Sequence, residues 1–205
     1  MCIRDSQYVD VVIMDSIPSY DYALQSLERF GKDPPATHVE MIEAGLDLSK
    51  FNPDNVTPWT YEEEEEDEDE VVTIGFVGRL TQQKQPLLFV RAASTLRSMK
   101  CHGNRVPRLR FVMVGSGTLT DEVVSLSEEL NADVRVFQST SDVPQVLKSL
   151  DIFLHLSVWD TAAYGVREAM AMRLPIVALR SNVGVASYVD CLLYTSPSPR
   201  DFTES

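Results

Sequence analysis

The sequence predicts an α/β protein organised on a parallel, doubly wound sheet. From Val71 to Leu179, short β-branched runs alternate with segments whose apolar residues recur at helical spacing. Such alternation closes into a parallel sheet with right-handed crossovers. Two of the runs, Val71–Val77 and Leu109–Val114, end in a glycine (Gly78 and Gly115), and no internal repeat is evident beyond the alternation itself.

In chain order, Tyr8–Met14 is a compact strand. Ser16–Ser19 supplies turn and cap signals, and Tyr20, Ala23, Leu24, Leu27 and Phe30 mark one helix face. Gly31 ends that helix, with Pro34-Pro35 beyond, and His38–Ile42 is a short strand. Asn55–Glu70 reads as a linker, because its like charges repel and it offers no apolar periodicity to bury. After the strand Val71–Val77, Pro86 suits a first helical position, and Leu88, Ala92, Leu96 and Met99 form the expected stripe of that helix. Leu119, Val123, Leu126 and Leu130 stripe the next one. Val134–Phe137 is a strand, and Asp142 is placed to cap a short helix over Val143–Leu150. Asp151–Leu156 has the content of a buried strand. The helix from about Ala163 to Met172 is apolar nearly all round, which predicts an interior position. Ile176–Leu179 is the last strand.

The chain has 205 residues, 44% hydrophobic and 24% charged, which is ordinary soluble material. Its formal net charge of -13 is concentrated in the unbroken acidic run Glu62–Glu70; without it 22 acids face 18 bases, a balance of -4. The plain reading of that run is a solvated insertion between domains, and docking to a basic partner is the alternative. Nothing is basic enough to predict nucleic-acid binding. No apolar run approaches a membrane span and no secretory signal opens the chain, so no integral membrane segment and a cytoplasmic location are expected. Cys2, Cys101 and Cys191 form neither a disulfide framework nor a metal site. His38, His102 and His155 are equally scattered, and His155 reads as a strand residue, not a ligand.

Two stretches carry chemistry. In the first, Glu168 sits in the middle of the apolar helix, and a buried carboxylate is costly unless something pairs with it. Asp160 lies eight residues earlier in a strand-to-helix loop, which in an open α/β sheet borders the ligand crevice. A solvated glutamate and a capping aspartate are the plain alternative. In the second stretch Gly78-Arg79 is followed by Lys84. A glycine at a strand end lets backbone amides approach a phosphate, and two cations can neutralise a diphosphate. Two surface cations are again the plain alternative. Gly115-Ser-Gly117 lacks the third glycine of a dinucleotide fingerprint, and the Gly-x4-Gly-Lys-Ser/Thr phosphate loop is missing, which argues against an NTP hydrolase.

Asp160, seven residues, then Glu168-Ala-Met-Ala, with Pro175-Ile-Val-Ala soon after, resembles the donor-site signature of the retaining, GT-B-fold family 4 glycosyltransferases. That family usually has Glu at both acid positions and Gly-Phe-Gly after the first; here Asp160 is followed by Thr161-Ala162-Ala163, with a glycine only at Gly165. Gly78-Arg79-Leu80 with Lys84 is similar to the family's Gly-Arg-Leu-x-x-x-x-Lys, and Glu43–Pro53 to its Gly-Val-Asp-x-x-x-Phe-x-Pro segment. The resemblance runs in motif order over residues 7–190. It implies the Rossmann-like C-terminal half of a GT-B fold, and transfer of a sugar from a nucleotide-sugar donor to an unidentified acceptor with retention at the anomeric carbon. It further implies no bound metal or other cofactor. Arg79 and Lys84 would stabilise the leaving diphosphate, Glu168 would bind the ribose, and Asp160 would meet the donor sugar. Gly78, Gly115, Gly117, Ser157, Tyr164 and Gly165 would line the donor site. A noncatalytic nucleotide-binding module of the same fold, or an interaction protein working through its acidic run, are the competing readings.

Residues 1–6 and 191–205 resemble translated sequencing-adapter read-through, or for the latter a disordered tail. The expected organisation is therefore residues 7–53 as the tail of an acceptor-side domain, 54–70 as an acidic disordered linker, and 71–190 as an incomplete donor-binding domain. A fragment of this kind is expected to be inactive by itself.

Overall fold

The computed structural model describes residues 11–14, 20–21, 25, 38–42, 45–60, 71–99, 107–160 and 162–179. Both adapter-like ends, the acidic run 62–70, Cys101 and most of the first expected helix lie outside the described residues. The chain divides into two compact units, one formed by residues 1–45, 159–163 and 180–205, the other by residues 46–158 and 164–179.

In the first unit, β1 (Val11–Met14) and β2 (His38–Met41) pair in parallel, with Val11 opposite His38 and Met14 opposite Met41. The Ile42 amide extends the pairing by donating to the Met14 carbonyl at 2.9 Å.

The second unit is the doubly wound sheet that the alternation predicts. Its strands are β3 (Val71–Val77), β4 (Arg108–Val114), β5 (Val134–Phe137), β6 (Ile152–His155) and β7 (Ile176–Ala178). All neighbours are parallel and the order is β5-β4-β3-β6-β7. The chain thus winds outward from β3 to β5, then returns to the other side of β3, which makes the β3/β6 junction the topological switch point. Asp151 pins that junction: its amide donates to the Thr73 carbonyl at 2.9 Å and its carboxylate accepts from the Thr73 amide at 2.7 Å.

Two helices, α1 (Pro86–Ser98) and α2 (Thr120–Glu129), pack against each other and help to build one core with Ile74, Phe76, Phe111, Met113 and Leu154. Helix α3 (Val143–Lys148) and α4 (Tyr164–Ala171) follow β5 and the loop after β6. Pro86 is the first residue of α1, as its fixed φ favours. The buried face of that helix is Pro86, Phe89, Val90 and Ala93, not the expected Leu88, Ala92, Leu96, Met99 stripe; Met99 is 61% exposed. The consecutive apolar residues Leu87 to Val90 fit two phases, and the start of the helix after a left-handed Gln85 (φ 53) selects one. Asp142 precedes α3 without a side-chain cap bond; its carboxylate accepts from the Gln145 side chain at 2.7 Å instead. Helix α4 is one-sided, contrary to the expectation of an interior helix: Val166 and Ala169 are buried while Tyr164 is 44% exposed.

Residues 46–60 also belong to the sheet unit. This strap opens with a turn in which Asp47 accepts from the Ser49 amide and hydroxyl at 2.9 and 2.6 Å. The turn delivers Phe51 into a buried position. Asp54 then meets Arg173, and Trp59 meets Phe137 and the carbonyl of Gln145. Asn55–Thr60 is read from composition as the start of a free linker, yet Trp59 supplies an apolar contact that a single residue does not announce as periodicity.

Candidate donor-binding site

The carboxyl ends of β4, β3 and β6 bring three loops together. Each loop follows a strand in the middle of the sheet, so backbone pairing fixes their roots in register. The Gly78 amide donates to the Val114 carbonyl, and the Leu80 amide to the Ser116 carbonyl, both at 3.0 Å; the Leu119 amide returns a bond to Leu80 at 3.0 Å. The loop after β6 joins through the Val158 amide, which donates to the Gln83 carbonyl at 3.0 Å. The segment bearing Arg79 and Lys84 is thereby held on both sides.

Glycine is required where the first two loops meet. A Cβ on Gly115 would strike the carbonyl oxygen of Gly78, and one on Gly117 would run into the backbone of Leu80. The glycines' own amides are engaged within the fold. Gly78 donates to Val114, Gly115 to Phe137 at 2.9 Å, and Gly117 to the Thr120 hydroxyl at 3.0 Å. What these glycines supply is close approach of two turns.

Arg79 is exposed at the end of β3. Lys84 is half-buried and closes a single 3-10 turn, Gln82–Lys84, whose amide bond to Thr81 at 2.9 Å fixes the root of its side chain. Ser157 is fully buried immediately after β6, its hydroxyl oxygen shielded from solvent. His155, two residues earlier on the strand, stacks on Phe153 with ring centres 6.1 Å apart, as befits a strand residue.

Helix α4 contributes Tyr164, Gly165 and Glu168. Gly165, its second residue, lies next to the Phe153 ring and the Val77 carbonyl, where an added Cβ would find ordinary contacts of 3.5 and 3.7 Å. Glu168 is half-buried, and burial raises its carboxyl above the ordinary range, partly offset by the Lys50 ammonium. Asp160 is half-buried and belongs to the 159–163 stretch that clusters with the first unit. Among the described residues, no group of three or more His, Cys, Asp or Glu could hold a metal ion, and no helix is long and apolar enough to cross a membrane.

Two neighbours of the site were not foreseen. Arg167 lies with its guanidinium 6.0 Å from the Tyr164 ring centre, a contact the i, i+3 spacing on one helix could have signalled. Lys50 influences Glu168 from 118 positions away, and only the strap's course brings it there.

The arrangement provides two cations on a turn packed against the glycine turn at a switch point, with a carboxylate on helix α4. The family model for glycosyl transferases group 1 matches residues 71–205. A UDP-Gal:alpha-D-GlcNAc-diphosphoundecaprenol alpha-1,3-galactosyltransferase of Escherichia coli is 29% identical over 147 residues, 70% of this chain and 37% of that protein. A D-inositol 3-phosphate glycosyltransferase of Mycobacteroides abscessus is 27% identical over 186 residues, 86% of this chain and 39% of that protein. The chain therefore spans less than half the length of these relatives. Among solved structures, HepE of Anabaena in complex with UDP and glucose superposes with a TM-score of 0.67 at 18% identity, covering 89% of this chain and 47% of that one. A glycosyltransferase of Rickettsia africae does so with a TM-score of 0.64 at 19% identity, covering 91% and 50%. Both likenesses bear on the fold, which is that of the Rossmann-like half of GT-B glycosyltransferases.

Proposed function

The chain belongs to the glycosyl transferases group 1 family, and from that premise we propose that it carries the donor half of an enzyme moving a sugar from a nucleotide-sugar donor with retention at the anomeric carbon, as in family 4. The observation that carries this reading is the locked junction of the Gly78, Gly115 and Val158 loops, which holds Arg79 and Lys84 at the switch point of the sheet. When the bond from the anomeric carbon to the donor phosphate breaks, the departing diphosphate gains charge. A guanidinium and an ammonium on a turn whose backbone is already held stabilise that charge. Glu168 is assigned to the ribose hydroxyls and Asp160 to the donor sugar. Gly165 and the start of α4 offer backbone amides to phosphate. No cofactor enters the scheme. The HepE structure holds UDP and the E. coli relative is named for UDP-Gal, so a uridine diphosphate sugar is the first donor to test.

Positioning an acceptor against the donor can supply about 7–11 kcal/mol of a barrier. We assign that wall to the acceptor-side domain, and accordingly propose that this chain alone binds nucleotide without transferring sugar. The substitution Lys84→Ala tests the site. It is expected to weaken binding of a nucleoside diphosphate by about 1.5–3 kcal/mol, the worth of a charge-assisted contact, while leaving the nucleoside unaffected. Equal losses for both ligands in calorimetry would refute the diphosphate role. Asp160 with Thr161-Ala162-Ala163 in place of Glu with Gly-Phe-Gly favours the second reading, a noncatalytic nucleotide-binding module. Sugar transfer by the full-length parent decides between them.

A further inference from the structure

The strap reaches the nucleotide site at one place besides Glu168. Trp59 lies with its ring 4.9 Å from that of Phe137, at 67°, and its amide donates to the Gln145 carbonyl at 3.0 Å. Phe137 is the last residue of β5 and Gln145 lies in the first turn of α3, so Trp59 grips both ends of the loop between them, residues 138–142. The Phe137 carbonyl accepts from the Gly115 amide at 2.9 Å, which ties the root of the same loop to the glycine turn. Within the loop the Asp142 amide donates to the Thr140 hydroxyl at 3.1 Å, while Gln138 and Ser139 are exposed. This loop is the lip of the crevice on the β5 side, one strand beyond the glycine turn.

We propose that Trp59 is a positioning residue for the base end of the nucleotide, holding the 138–142 loop at the height a base must meet. The proposal rests on the donor-site reading above. The loop follows β5, on the far side of β4 from the β3 turn that bears Arg79 and Lys84, so a nucleoside whose phosphates sit at those cations would extend across β4 toward it. Trp59 touches no substrate; it acts through Phe137 and the first turn of α3. Loss of its ring frees the Phe137 end of the loop while the backbone bond to Gln145 remains, and leaves the β3 and β4 turns joined by their own hydrogen bonds.

The test titrates the chain and its Trp59→Ala and Trp59→Phe variants with UDP and with inorganic pyrophosphate. Trp59→Ala is expected to weaken UDP about three- to tenfold, the span an edge-to-face aromatic contact is worth, with pyrophosphate unchanged. Trp59→Phe is expected to restore most of the UDP affinity. Equal losses for both ligands, or no loss for either, overturn the role of Trp59 while leaving the donor site standing. Should Trp59→Ala fail to fold, Phe137→Leu removes the same ring contact from the other side, and is again expected to weaken UDP with pyrophosphate unchanged. A parent chain that binds neither ligand overturns the donor-site reading and the proposal with it.

Discussion

Asp54 and Arg173 hold each other through two parallel bonds of 2.9 and 3.1 Å across 119 positions of chain. Arg173 follows α4 in a left-handed conformation (φ 60), so the bond fastens the strap to the end of the helix that carries Glu168. Both side chains are largely exposed, at 63% and 68%. Water and salt therefore screen the pair, and even a bidentate geometry leaves it modest.

A double-mutant cycle on Asp54→Ala and Arg173→Ala is accordingly expected to give a coupling of about 0.5–1 kcal/mol at low salt, fading as the ionic strength rises. Urea unfolding of the four chains measures it. A coupling that persists at high salt would mean the pair is more shielded than its exposure indicates.

Gly115→Ala and Gly165→Ala are expected to part company. At Gly115 a methyl group strikes the Gly78 carbonyl, a backbone atom that cannot swing aside. The cost is expected at about 1–3 kcal/mol, as for overpacking, with loss of nucleotide binding as the two turns separate. At Gly165 the same methyl meets ordinary contacts inside a helix, where alanine is favoured by up to about 1 kcal/mol. Thermal melting of both variants checks the contrast, and equal destabilisation would be contrary to it.

Glu168→Gln is expected to raise stability while weakening ribonucleotide binding. Burial lifts the folded-state pKa of Glu168 above its ordinary value of 4.5. The native state then holds that proton at pH values where the unfolded chain has released it. Its contribution to stability falls as pH rises from the ordinary pKa through the raised one, and stays low above. The variant should melt with the parent in acid and above it at neutral pH. Its affinity loss should be larger for a ribonucleoside diphosphate than for the 2′-deoxy form. A lower melting temperature with affinity unchanged would make Glu168 structural.

The sheet unit was legible because each of its strands is a short run rich in β-branched and apolar residues, even where Arg110 and Arg135 interrupt it, and because the glycine turns of β3 and β4 follow directly in the chain. Local patterning alone determines such elements, and Gly78, Arg79, Lys84 and Glu168 sit at spacings a linear reading can find. The phase of α1 was not legible, since four adjacent apolar residues satisfy two helical faces until Gln85 sets the start. The strap escapes a linear reading for a different reason. Phe51, Asp54 and Trp59 are isolated residues whose surroundings come from far along the chain, and isolated contacts leave no period to detect. Tertiary structure alone decided that Lys50 stands near Glu168, that Arg173 receives Asp54, and that Trp59 meets Phe137. Those relationships depend on where separate segments are folded back, and no run of neighbouring residues encodes that path.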